Sequence, residues 1–331
     1  MSLESTGRVT RKVVELFGRS VLVTGANGFV GRRLCNLLDA SGARVRRVAR
    51  TSADEEVTAI GDIGTFDEWA SLLVGIDVIV HLAARAHVPP KDGLAALREY
   101  RRVNLTPSER ITRAAAAAGV RRVILLSSIG VCGNATHGEA FSERSPAAPQ
   151  EAYAVSKLEA EQVVRLVGEA AGIESVIVRS PLVYGPGAKG NFLRLMKLVR
   201  YRVPLPFAAI SNKRSFVGLD NLCDYLCLCV ADERAAGETL MVSDAEQLST
   251  PELLRLMAES FGQSLWMPRV PPEALRRLGR ITGYGKEIDR LCDSLEIDSS
   301  YSRALLDWHP SHVAADGIRE MVLAFRSGSG A

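Results

Sequence analysis

Short apolar runs at 19–24, 44–49, 77–82, 122–127 and 175–180 read as buried strands. Between them apolar positions recur at helical spacing, near 30–41, 65–74, 95–118, 151–171 and 191–201. This alternation predicts an α/β fold with a parallel, doubly wound sheet. Beyond about residue 181 the rhythm weakens into Pro- and Gly-rich loops such as Val203-Pro204-Leu205-Pro206-Phe207. Ser249-Thr250-Pro251-Glu252 then opens a further helix as a capping box. The pattern divides the chain into an N-terminal extension (1–18), a first domain (19–180), a smaller lobe (181–326) and a flexible tail (327–331).

The first strand, Val21-Leu22-Val23-Thr24, breaks into Gly25-Ala26-Asn27-Gly28-Phe29-Val30-Gly31 and then a helix. The first glycine permits the sharp bend, the second lets backbone approach a pyrophosphate, and the third lets helix and strand pack closely. The helix N-terminus, with its unpaired N–H groups and positive dipole end, then faces the phosphates. A glycine triplet alone is weak evidence, but here a strand precedes it, a helix follows, and Gly42 stands where a C-cap belongs. The first domain is therefore expected to be a Rossmann-type dinucleotide-binding domain.

Composition changes this picture little. The 331 residues hold 47% hydrophobic and 24% charged side chains with a net charge of +3, which implies neither a nucleic-acid nor a membrane partner. No apolar run reaches spanning length and the N-terminus lacks a signal-peptide core, so a cytoplasmic location is expected. Cys223, Cys227 and Cys229 lie in an apolar helical run, where small core residues are a better reading than metal ligands. The histidines, 81, 87, 137, 309 and 312, are scattered, and no metal site is expected.

A second chemical signature is Tyr153-Ala154-Val155-Ser156-Lys157, at a helix start. Residues four apart share a face, so the phenol and the ammonium can meet, and a nearby cation favours the phenolate of a tyrosine whose ordinary pKa is about 10. By itself this spacing is common on solvated helix faces. Val123-Ile124-Leu125-Leu126-Ser127-Ser128, however, delivers a hydroxyl at a strand's carboxyl end, where open α/β sheets bind ligands.

The glycine turn, Asp62-Ile63, His81-Leu82-Ala83-Ala84, Asn104, Ser127-Ser128, Tyr153 with Lys157, and Val183-Tyr184-Gly185-Pro186-Gly187 follow one another in a familiar order. In this the chain resembles the extended short-chain dehydrogenase/reductases of the nucleotide-sugar epimerase type, over nearly all of 19–325. The resemblance implies Ser128, Tyr153 and Lys157 as catalytic residues. It implies a cofactor site of Gly25, Asn27, Gly28, Phe29, Val30, Gly31, Asp62, Ile63, Leu82, Ala83, Ala84, Asn104, Ser127, Tyr153, Lys157, Pro181 and Val183. Asp62 and Ile63 would flank the adenine, and Asn104 would support the active-site helix. It implies Asn191, Phe192, Arg214, Arg290 and Asp293 as holders of a nucleoside diphosphate, beside Ser128, although a lone arginine is more often simply solvated. Leu182 departs from the asparagine that many 4-epimerases carry there.

Ile129 and Gly130 follow Ser128 where the 4,6-dehydratases of this family carry an acid pair, and decarboxylases carry a glutamate at the place of Gly130. Elimination and decarboxylation are thus disfavoured, leaving hydride transfer at one carbon. Ala49 stands where an NAD-selective site places an acid. Arg50, with Arg47, can pair with a 2′-phosphate, so NADP is favoured and NAD stays open. A closer resemblance, in 183–196 and 214–222, is to the bacterial polysaccharide branch of UDP-N-acetylquinovosamine dehydrogenases and related 4-epimerases. It implies a UDP-sugar substrate altered at C4, by 4-keto reduction ahead of 4-epimerisation, and a homodimer packed through 95–118 and 151–171. A small-ketone reductase and a non-catalytic dinucleotide-binding sensor are the readings from other classes.

Overall fold

The computed structural model describes residues 14–86 and 93–328. Its strands are β1 (Ser20–Thr24), β2 (Arg44–Ala49), β3 (Val57–Ala59), β4 (Val78–His81), β5 (Arg122–Ser128), β6 (Glu174–Ser180), β7 (Leu182–Tyr184), β8 (Arg214–Gly218), β9 (Thr239–Met241) and β10 (Gln247–Leu248). The helices of the first half are α1 (Phe29–Ala40), α2 (Trp69–Leu73), α3 (Gly93–Tyr100), α4 (Thr106–Ala118) and α5 (Ala152–Ala171). Those of the second half are α6 (Asn191–Arg200), α7 (Leu219–Ala231), α8 (Thr250–Phe261), α9 (Pro272–Thr282), α10 (Gly285–Cys292), α11 (Ser300–Leu306) and α12 (Ala314–Gly328).

Seven strands form one sheet in the order β3-β2-β1-β4-β5-β6-β9, every neighbouring pair parallel. Alternate residues of β1 serve opposite faces: Val21 and Val23 pack with Leu34, Leu38 and Leu226 of α1 and α7, and Leu22 packs with Ile111 and Val164 of α4 and α5. Burial on both faces is why the strands read as continuous apolar runs. A second sheet, β10-β8-β7, carries the smaller lobe, whose core gathers Phe192, Met196, Phe216, Leu254 and Met257.

Five expectations need correction. The main sheet does not end at residue 180, because β9 pairs with β6 and α7 covers the sheet beside α1. The second half thus returns to complete the first domain. The helix expected over 95–118 is two helices joined by a π-helical turn, Arg101–Leu105, and that expected over 65–74 shrinks to Trp69–Leu73. The end of the presumed extension belongs to the core, since Leu16 is 1% exposed and its N–H bonds Ser41 O at 2.8 Å. Ser327 and Gly328 are still in α12. Arg8, Arg11, Lys12, His87 and residues 329–331 lie outside the described residues.

Candidate active site

The β1–α1 turn is built for close approach. Gly25 has φ +70°, and a Cβ there would lie 3.0 Å from Ala83 N, on the neighbouring β4 loop. At Gly31 a Cβ would fall 2.1 Å from Gly25 O, so no larger residue fits. Gly28 occupies the N-cap of α1 without a side-chain cap, and the first turn carries no acid. The N–H groups at this end are thus left for a ligand, and an anion suits them. Asn27 Nδ2 donates to Thr51 O at 2.7 Å, tying the turn to the end of β2. Phe29 packs with both lobes' cores and faces the loop at Gly187, while Pro181 is buried and Val183 half-buried nearby in sequence.

The next strand ends close the cleft. Thr24 Oγ1 accepts from Ala83 N at 3.1 Å and meets His81 Nδ1 at 2.7 Å, fixing the segment that carries Leu82, Ala83 and Ala84. His81 is fully buried, with no partner for Nε2 among the described residues, and burial together with the charge of Lys157 lowers it to about 3. It is a neutral structural residue that fixes the β4 end. Asp62 sits at the rim, held below the usual carboxylate range by the Gly64 N–H and by Arg102, whose Nη1 is 2.5 Å away. Ile63 packs beneath it on the α4 side of the sheet. Glu99 bridges Arg102 and Arg85, a rim network that no motif announced. Arg50 is exposed and has no ion-pair partner among the described residues, whereas Arg47 is committed to Asp39 and Glu56. That removes Arg47 as a phosphate ligand.

Asn104 lies in the π-turn and is 1% exposed. It accepts from Arg85 N at 2.8 Å, donates to Ser156 Oγ at 3.0 Å, and Ser156 in turn bonds Tyr153 O at 2.7 Å. The cofactor-side loop is thereby tied to the stretch of α5 between Tyr153 and Lys157. Helix α5 can approach β6 because Gly168 lies against Ser175, where a Cβ would sit 2.1 Å from the hydroxyl oxygen.

Tyr153 is half-buried, 5.8 Å from the Tyr100 ring, and burial with that neighbour pushes its phenol up to about 12. Lys157 is 2% exposed; burial lowers it to about 8, against the charge of Glu161. Ser128 Oγ accepts from Gly130 N at 3.2 Å. A Cβ on Gly130 would lie 3.4 Å from that oxygen and 3.5 Å from Ala154 Cβ, so the Ser128 hydroxyl shares its space with the first turn of α5. Ser127 points elsewhere, into a buried bond with Glu161.

The smaller lobe closes over this edge. Arg290 pairs with Glu151, the N-cap residue of α5. Arg214 is 8% exposed and lowered to about 10 by burial; it donates to Arg290 O at 2.6 Å and Asp293 O at 2.9 Å, while Asp293 pairs with Arg276 at 2.5 Å. Arg214, Arg290 and Asp293 thus do come together beside α5. Asn191 opens α6 and is exposed, but the Phe192 ring is a correction: it is 3% exposed and packed between Tyr184 and Phe216, so it is core. Among the described residues no group of three His, Cys, Asp or Glu is placed to hold a metal. The six cysteines are free and buried.

A sequence model of the NAD dependent epimerase/dehydratase family matches residues 21–242. The chain belongs to this family. It is 35% identical over 313 residues to a UDP-glucose 4-epimerase of Vibrio cholerae, covering 93% of this chain and 95% of that one. It is 29% identical over 321 residues to a dTDP-6-deoxy-L-talose 4-dehydrogenase (NAD(P)(+)) of Kitasatospora kifunensis, covering 91% and 94%. Its fold is that of the UDP-glucuronic acid 4-epimerase from Bacillus cereus, solved in complex with NAD, with TM-score 0.75, 22% identity and coverage of 93% and 99%. The uncapped α1, the glycine cradle and the buried lysine fit the family's dinucleotide. Gly25, Gly28, Gly31 and the α1 N–H groups would hold its diphosphate and Lys157 its nicotinamide ribose.

Proposed function

We propose that this family member carries out hydride transfer at C4 of a UDP-sugar, reducing a UDP-4-keto-6-deoxy-N-acetylhexosamine. The chemistry at C4 is supported by the Ser128 hydroxyl standing beside the α5 turn that carries Tyr153 and Lys157, with Ile129 and Gly130 offering no acid for elimination. The bound dinucleotide supplies the hydride. Ser128 and Tyr153 hydrogen-bond the sugar O4 and fix C4 in a reactive pose. Tyr153, protonated at neutral pH with its phenol near 12, gives its proton to O4 as the carbonyl is reduced. Lys157 stabilises the phenolate left behind, and Arg214 and Arg290 form the wall toward the diphosphate.

The observation that carries reduction is Arg50, exposed and, among the described residues, without an ion pair at the end of β2 where Ala49 replaces an acid. A reductase exchanges its cofactor every turnover, and a guanidinium that can pair with a 2′-phosphate favours the NADPH pool. The Vibrio cholerae relative favours a second reading, 4-epimerisation, in which Tyr153 first removes the O4 proton and the same hydride returns to the other face of the sugar. The deciding experiment offers the purified protein a UDP-4-keto-6-deoxy-N-acetylhexosamine with NADPH, and separately UDP-glucose with no added cofactor, with products identified by NMR. Reduction is expected in the first tube only.

A further inference from the structure

One turn beyond Lys157, α5 presents Glu161 on the same face, since residues four apart superpose along a helix. Glu161 is 2% exposed. The sheet meets it with a matched pair of side chains, Ser127 of β5 and Arg179 of β6, which are register partners. Ser127 Oγ donates a short hydrogen bond to Glu161 Oε1. Arg179 closes a fork, Nε to Oε1 at 3.1 Å and Nη2 to Oε2 at 2.7 Å, and its Nη1 rests 3.5 Å from Cys132 Sγ. Against well-packed apolar residues such a buried ion pair gains little stability, because desolvating two charges offsets their attraction. Its position is more telling than its strength. The Lys157 side chain is equally buried and, among the described residues, makes no side-chain hydrogen bond or ion pair.

We propose that Glu161, clamped by Ser127 and Arg179, is a positioning residue for Lys157. Its carboxylate keeps the buried ammonium charged, while the Arg179 fork and Ser127 hold that carboxylate on the sheet, so that Lys157 stays free for the site above. The proposal rests on reading Tyr153 and Lys157 as the acid–base site.

The groups facing Lys157 are Tyr153 and Glu161 from α5 and His81 from β4, with Arg179 and Cys132 behind Glu161. His81 is neutral, so it cannot hold the ammonium's charge. Burial works against that charge and Glu161 opposes the loss.

The test reads Lys157 in the ligand-free protein, without turnover. A cation whose folded pKa, about 8, lies below its unfolded 10.5 costs stability below pH 8, and this cost fades as pH rises toward 10.5. The stability difference between a protein and its Lys157→Met partner, followed by urea unfolding across pH, therefore breaks near pH 8. Glu161→Gln should move the break down by about 1–3 units, the range for loss of a nearby opposite charge. The double variant Glu161→Gln/Arg179→Gln removes both charges and leaves no unpaired guanidinium, so it should recover part of the shift, while its break stays below that of the unaltered protein because the carboxylate is still missing. It also serves if the single variant does not fold, its break then still lying below that of the unaltered protein. The alkaline limb of kcat/KM should shift in the same sense as the break. A break and a limb that stay in place in Glu161→Gln, with only the height of the profile reduced, would overturn the proposal. So would a double variant whose break returns fully to that of the unaltered protein. If Tyr153→Phe retains turnover while the break still moves, the acid–base reading fails and the coupling of Glu161 to Lys157 stands.

Discussion

At the scale of single residues, one titrating oxygen, the Tyr153 phenol, stands at the centre of the chemistry. Tyr153→Phe keeps the ring against Tyr100 and deletes only the proton donor. Turnover should fall by about 10²–10⁴-fold, the usual worth of general acid–base catalysis, with fold and cofactor affinity nearly unchanged. Steady-state kinetics beside fluorescence titration of the cofactor checks both halves. Arg50 makes the second residue-scale prediction. Because it is exposed and forms no ion pair among the described residues, Arg50→Ala should weaken NADPH relative to NADH by roughly 10–100-fold, the range of a charge-assisted hydrogen bond. Equal loss for the two cofactors would separate Arg50 from cofactor choice.

At the scale of elements, the β1–α1 turn is a junction closed on backbone itself. A methyl group at Gly31 would sit 2.1 Å from a backbone oxygen that belongs to the turn itself. Gly31→Ala should therefore push α1 off β1, lowering both the melting temperature and dinucleotide affinity, as thermal unfolding with and without cofactor would reveal. Unchanged binding would contradict the cradle. Motifs like this one were legible because backbone geometry dictates the residue: only glycine fits, and the spacing survives in the sequence. The parallel strands were legible for a related reason, burial on both faces. The π-turn at Arg101–Leu105 was not, since its side chains keep helical spacing and only the hydrogen-bond register changes. Nor was the clamp on Glu161, whose three members lie on three elements and meet only when β5 and β6 align. Phe192 shows the opposite error. Its neighbours in sequence belong to a ligand-facing helix start, but its ring follows the apolar face of α6 into the core.

At the scale of the whole molecule, α7 and β9 return to the first sheet, and the Arg290–Glu151 pair joins the smaller lobe to the helix that bears Tyr153 and Lys157. Assembly follows from the outer side of the same helices. Between α4 and α5 a shallow depression is lined by Ala116, Val163, Leu166, Ala170 and Ala171, and Leu166 is 67% exposed there. We propose an isologous dimer across this face. Leu166→Glu should convert a dimeric mass by light scattering to a monomeric one, and a protein already monomeric at micromolar concentration would contradict the proposal. The most direct test of the central claim remains the state of the cofactor and the identity of the product. A reductase should be purified largely free of nucleotide and consume NADPH in step with reduction of a UDP-4-keto-6-deoxy-N-acetylhexosamine, as followed by absorbance and NMR. Stoichiometric NAD retained through purification, with UDP-glucose and UDP-galactose interconverted and no cofactor added, would contradict reduction and establish 4-epimerisation in its place.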